Sequence, residues 1–149
     1  IALHFNHPVK ELVWMVPNTD TNNKFSVDKK ALWTKDLSST GLLRLNGHER
    51  FTARDHTYFR HVQRYQHHTG ALAVPYTSGS NSLYVYSFAL QPEEHQPSGT
   101  CNMSRIDNAV LELECGNCGT NNEGVTHVYA MNYNVLRVMS GMGGLAYSN

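Results

Sequence analysis

The stretch "SLYVYSFALQPEEHQPSGTCNMSRIDNAVLELEC", Ser82 to Cys115, decides how the rest of the chain is read. It begins with nine residues rich in aromatic and β-branched side chains, Ser82 to Leu90, the composition of a strand. It ends with Ala109, Leu111, Leu113 and Cys115 alternating with Val110, Glu112 and Glu114, the pattern of a strand with one buried face. Between them Pro92 and Pro97 prevent the first strand from continuing, and Ser98-Gly99 offers a turn. Three acids, a histidine, a cysteine and an arginine are crowded into this connection. It is either an active-site loop or an elaborate corner.

Working outward, the same alternation recurs. Ile1, Leu3 and Phe5 predict a strand with one buried face, interrupted by Pro8, and Leu12 to Val16 resumes as an apolar run of strand length. Pro17 to Asn23 reads as a loop, and Phe25 to Leu37 fits neither period. "LLRLNGHERF" predicts a strand ending at Asn46-Gly47, a pair suited to a tight turn with positive φ. Asp55 to Tyr65 is the helical candidate, short and at the surface. Asp55 is placed to cap it, with Phe59, Val62 and Tyr65 at helical spacing. Val125 to Met139 predicts a long strand with a possible bulge, followed by the glycine-rich Ser140 to Gly144. Many short strands, polar loops and at most one small helix indicate an all-β sandwich.

Composition narrows the function. The 149 residues suit one domain, and 40% hydrophobic content argues for a packed core. Twelve basic residues balance twelve acidic ones, so no basic field points to nucleic acid. The nine histidines make the net charge sensitive to mild acid. Three cysteines do not form a secreted disulfide framework, and a reducing compartment fits them better. No apolar run approaches the roughly 20 residues of a membrane helix. The chain opens on isoleucine, and is read as a fragment or processed piece.

Each chemical constellation has a plainer reading beside it. Cys115-x-x-Cys118 is half of a zinc site, with Cys101 and His127 the nearest further ligands, but the same residues make a good hairpin turn. His67 and His68 are adjacent and so point in different directions, and no His-x-His pair exists for a metal enzyme of cupin type. Glu93, Glu94, His95 and Ser98 are too close in sequence to build a catalytic triad, and no G-x-S-x-G elbow is present. The glycines of "SGMGG" lack the GK[ST] ending of a phosphate loop, and suit a tight turn or close packing between chains. Arg105 and Asp107 lie two apart, which in a strand puts them on one face. The charged stretch therefore reads as architecture. A second reading, a β-sandwich glycan-binding module, uses Tyr65, Tyr76 and Tyr84 as exposed aromatics.

Five segments in order, "HFNHPVKELVW" (His4 to Trp14), "NGHERF" (Asn46 to Phe51), "YFRHVQRYQHHTG" (Tyr58 to Gly70), "YVYSFALQPEEHQPSGTCNMSRIDNA" (Tyr84 to Ala109) and "YAMNYNVLRVMSGMGGLAYSN" (Tyr129 to Asn149), resemble the major capsid proteins of nucleocytoplasmic large DNA viruses. The resemblance implies a jelly-roll β-sandwich spanning residues 1–149, the second of two in a double jelly roll, without the N-terminal jelly roll and lacking its own first strand. It implies a structural protein with no catalytic residues and no cofactor, assembling as a homotrimer into pseudo-hexagonal capsomers of an icosahedral virion, built in the host cytoplasm. The implied partners are neighbouring capsomers and minor capsid proteins, with an inner viral membrane nearby but not entered. Glu93, Glu94, Arg105 and Asp107 are the candidate interface or corner-bracing residues.

Overall fold

The computed structural model describes residues 1–15, 40–70, 83–114 and 126–147. The expected Pro17–Asn23 loop, the Phe25–Leu37 stretch, Tyr76, Cys115 and Cys118 lie outside the described residues. Eleven strands are described: β1 (Ala2–Leu3), β2 (Pro8–Met15), β3 (Thr40–Leu45), β4 (His48–Glu49), β5 (Arg54–Asp55), β6 (Leu83–Ser87), β7 (Cys101–Asn102), β8 (Ala109–Glu114), β9 (His127–Asn132), β10 (Leu136–Met139) and β11 (Met142–Leu145).

They form two antiparallel sheets and a separate hairpin. In the first sheet the order is β1-β8-β3-β4, with β5 also pairing β3. In the second, β2 is central: β9 lies along one edge, and β6 and β7 pair successive parts of the other. Leu43 and Leu111, directly opposed in the first sheet, are buried with Val9, Leu12 and Trp14 of the second. One core is thus shared between facing sheets, the arrangement that alternating strands require.

β2 departs from simple alternation, and the reason is local. Its register against β9 shifts between Val9 and Glu11. The bulge at Lys10 reverses the parity of the strand, so odd-numbered Val9 and even-numbered Leu12 and Trp14 all face the core. The Lys10 carbonyl accepts from the amides of both Phe88 and Ala89 at 2.9 and 3.2 Å. Pro8 does not interrupt this strand; it begins it, at the one position where a missing N–H is harmless. The expected N-terminal strand shrinks to Ala2–Leu3, since the chain crosses between sheets through His7, whose φ is 72°.

Asn46 and Gly47 carry φ values of 51° and 80°, giving the tight β3–β4 turn their sequence predicts. Arg44 on β3 ties its neighbours together, 3.2 Å from Glu49 and 3.0 Å from Glu112.

The helical stretch covers residues 56–67 and contains a π segment, Tyr58–Val62, followed by α1, Gln63–His67. Asp55 accepts from the Thr57 amide at 2.9 Å and its hydroxyl at 2.6 Å, as expected of a cap. The wider π turn changes which residues face inward. Phe59 and Gln63 are buried, whereas Val62 and Tyr65 are exposed, so the expected apolar face is corrected. Nor is the helix purely superficial. Phe59 packs edge-on against Trp14, 5.2 Å between ring centres, and Trp14 stacks on Tyr84. Gln63 accepts from the Ser87 amide at 3.0 Å and donates to the Tyr58 hydroxyl, closing the end of β6.

The long strand expected over Val125–Met139 breaks at residues 133–135. β9 stays in the second sheet, while β10 leaves it and, among the described residues, pairs only with β11. Ser140 and Gly141, at φ 52° and 77°, make the hairpin turn.

Candidate functional site

The connection from Phe88 to Asn108 is assembled almost wholly from backbone-satisfying contacts. After β6, the Ser87 hydroxyl donates to the Ala89 carbonyl at 2.7 Å. The Ser98 hydroxyl accepts from the Gln91 amide at 2.9 Å, and Leu90 N–H reaches the Ser98 carbonyl. Ser98 thus staples the two ends of the Pro92–Pro97 excursion together, with Pro92 fully buried beneath it. Gly99, at φ 144°, lies so close to the incoming strand that a β-carbon would sit 2.7 Å from the Phe88 carbonyl oxygen. Only glycine fits there.

Glu93 anchors this corner to the helix end. Its carboxylate accepts from the Thr69 amide at 3.1 Å and from the Thr69 hydroxyl, and lies 3.1 Å from His68 Nδ1. The hydrogen bonds from Thr69, followed by that from His68, hold the Glu93 carboxyl below the usual carboxylate range. The other ring nitrogen, His68 Nε2, is 3.1 Å from Glu11 Oε2 on β2. The Glu11 side chain is only 6% exposed, on the face of β2 opposite the core. One imidazole therefore bridges a buried carboxylate in the sheet and an exposed one in the corner. The neighbouring His67 Nδ1 lies 2.9 Å from the Leu90 carbonyl of the same corner.

The second half of the connection is equally committed. β7 pairs with the start of β2, and Asn102 caps the 3₁₀ turn Met103–Arg105 through the Ser104 amide at 3.1 Å. The Ser104 hydroxyl accepts from His7 N–H at 2.9 Å. Asn46 Oδ1, from the β3–β4 turn, accepts from the amides of Asp107 and Asn108 at 3.0 and 3.2 Å. Arg105 ends that turn and Asp107 lies in a bend, so they do not share a strand face. Of the four candidate residues only Glu93 is paired among the described residues. Glu94, Arg105 and Asp107 are exposed, and their side chains form no ion pair among the described residues.

The catalytic alternatives find no geometry here. Ser98 Oγ is engaged by the Gln91 backbone, and burial pushes the Cys101 thiol above its usual range, away from a thiolate nucleophile. Among the described residues no three metal-ligating side chains gather. The glycan reading loses Tyr84, which is fully buried in the core, its phenol pushed upward by burial; Tyr65 alone of the three is seen to be exposed. Sequence reasoning missed Glu11 and gave His68 only a ligand's role. An acid inside "PVKELVWM" was the available signal, since on a two-sided buried strand it needs a partner.

Comparison with known proteins agrees with this geometry. The family described as large eukaryotic DNA virus major capsid protein matches residues 1–144. The major capsid protein of Pyramimonas orientalis virus is 52% identical, over the whole of this chain and 39% of that protein. The major capsid protein of Paramecium bursaria Chlorella virus 1 is 37% identical over the whole of this chain and 43% of its own length. In a quasi-atomic model of the PBCV-1 virus capsid, one chain superposes on all of this one with a TM-score of 0.79 at 34% identity. The match takes up 45% of that solved chain, so this chain spans less than half the length of each relative.

Proposed function

This chain belongs to the large eukaryotic DNA virus major capsid protein family, and we propose that it is a shell-building span of a virion capsid subunit, with a structural rather than an enzymatic role. The observation that carries the reading is the superposition on a capsid chain along its full length. The two facing sheets are read as a jelly roll, one of two in the complete subunit; the share of the solved chain that is matched, 45%, is what one of two similar domains would occupy.

The mechanism is assembly. Two sheets sharing one core give a rigid body, and its loops carry the contacts. A trimer closes by repeating one heterologous contact under threefold rotation. Charged side chains that form no ion pair among the described residues, held on a fixed scaffold, suit that contact, because complementary charges set register. Glu94, Arg105 and Asp107 meet this description, while Glu93 is the brace that fixes the corner presenting Glu94. Neighbouring capsomers and minor capsid proteins are the further partners, and the virion capsid is the location.

The test is charge reversal in the full-length protein. Arg105→Glu lowers trimer yield in analytical ultracentrifugation without altering the far-ultraviolet circular dichroism. Unchanged trimer yield removes Arg105 from the interface.

A further inference from the structure

Residues 50–68 concentrate positive charge in a chain that is balanced as a whole. Arg50, Arg54, Arg60 and Arg64 stand against a single acid, Asp55, with His56, His61, His67 and His68 among them. Asp55 is already engaged by the Thr57 amide and hydroxyl, and lies 3.4 Å from His56 Nδ1. The Arg54 guanidinium lies over the Tyr58 ring, 5.6 Å from its centre.

Helical spacing gathers part of this charge on the outward side. Phe59 and Gln63, four residues apart, share the buried side. Arg60 and Arg64 are likewise four apart, as are His61 and Tyr65, so each pair neighbours along the helix surface. Burial of the imidazole, then the charges of Arg60, Arg64 and His56, hold His61 below the usual histidine range. Among the described residues His61 and Arg64 form no ion pair. Like charges held together disfavour the fold, and a local conflict of this kind marks a functional surface. Two exposed apolar side chains accompany the cations, Val62 at 40% and Tyr65 at 77%.

We propose that this face, Arg60, His61, Val62, Arg64 and Tyr65, binds an acidic peptide segment of another protein, one with apolar side chains among its carboxylates. A guanidinium takes a carboxylate through two parallel hydrogen bonds. Arg60 and Arg64 are about 6 Å apart along the helix axis. Acids two apart in an extended segment are separated by about 6.6 Å, so Glu-x-Glu spans the pair. Val62 and Tyr65 supply apolar contact that a bare polyanion would leave wet, and tyrosine is favoured where proteins meet. Nucleic acid fits this face less well. Its affinity comes from a row of phosphate contacts, whereas the helix ends at Glu93, held by His68 and Thr69, with exposed Glu94 beside it. The balanced charge of the whole chain gives no wider field to draw a phosphate backbone.

The test is fluorescence anisotropy with the full-length protein and a short labelled peptide rich in glutamate and leucine. A glutamine-for-glutamate counterpart and an oligothymidylate serve as controls. The acidic peptide is expected to bind and the counterpart not to. Arg64→Glu should weaken binding by about tenfold or more, the loss of one charge-assisted contact. Tyr65→Ala should weaken it as well, with the far-ultraviolet circular dichroism of both variants unchanged. If Arg64→Glu does not fold, Arg64→Gln makes the same comparison. No binding of the acidic peptide, or binding that Arg64→Glu leaves intact, overturns the proposal. Tighter binding of oligothymidylate makes the face a nucleic-acid surface and overturns it too. Full affinity in Tyr65→Ala reduces the face to a simple anion site and overturns the assignment of a peptide.

Discussion

Removing the His68 imidazole should unfasten the corner from the sheet, and the cost can be worked from the contacts. Glu11 and His68 are 3.1 Å apart, with the Glu11 side chain almost wholly withdrawn from water. Any attraction between such groups is largely offset by taking them out of water, so the pair itself adds little net stability. His68→Ala is different, because it leaves the Glu11 carboxylate buried and without its partner, a loss of about 3–5 kcal/mol. The combined Glu11→Leu and His68→Leu replacement removes both charges and should recover most of it, since buried pairs exchange for apolar residues at little cost. Glu93→Gln should have a smaller effect confined to the corner, because Glu93 is exposed. The assay is hydrogen exchange of the full-length protein at neutral pH, read on peptides covering Pro8–Met15 and Gln63–Thr69. The single variant should exchange about 100-fold to 3,000-fold faster there. Protection within threefold of wild type, or a double variant no better than the single one, would refute the reasoning.

Two further expectations are independent of that cluster. Gly99→Ala should cost about 3 kcal/mol or more, from a backbone region nearly reserved for glycine plus a collision with the Phe88 carbonyl. Gly47→Ala, at φ 80° in open space, should cost only about 1 kcal/mol. Denaturant midpoints of the two variants check the order, and equal losses would contradict it. Asp55→Ala should cost about 1 kcal/mol as a lost helix cap. The Asp55 carboxyl feels burial that raises its pKa, outweighed by the Thr57 hydrogen bonds that lower it below 3.8. A depressed carboxyl stabilises the fold above its unfolded value and loses that contribution as pH falls through the folded one. Wild-type exchange protection over residues 56–67 should therefore decline faster than that of Asp55→Asn as pH is taken from 5 to about 2, and parallel profiles would contradict the assignment.

Much of the sandwich was legible because its strands obey period two. Ala109, Leu111 and Leu113 face inward and Glu112 and Glu114 outward, as their order says. Asn46-Gly47 announced its turn for a reason equally local. Three features escaped because each depends on insertion of a residue into a regular pattern or on a distant partner. The bulge at Lys10 turns β2 over, so periodicity alone misassigns Val9 and Glu11. The π turn moves the helix's inward face from Val62 and Tyr65 to Gln63. The break after Asn132 sends half of an expected strand into a separate hairpin, because Asn134 closes a ladder with Tyr147 rather than extending β9. Of the charged connection, its role as a corner was readable from Pro92, Pro97 and Gly99. The link from Glu93 through His68 to Glu11 was not, since it joins positions 25 and 57 residues apart.

The proposed subunit, of which this span is a part, closes threefold into a shell. Native mass spectrometry of the full-length protein purified from virions tests it most directly. A dominant species of three chain masses, dissociating to single chains at high collision energy, is the predicted result. A protein absent from purified virions, or one that remains a single chain at every concentration, would contradict it.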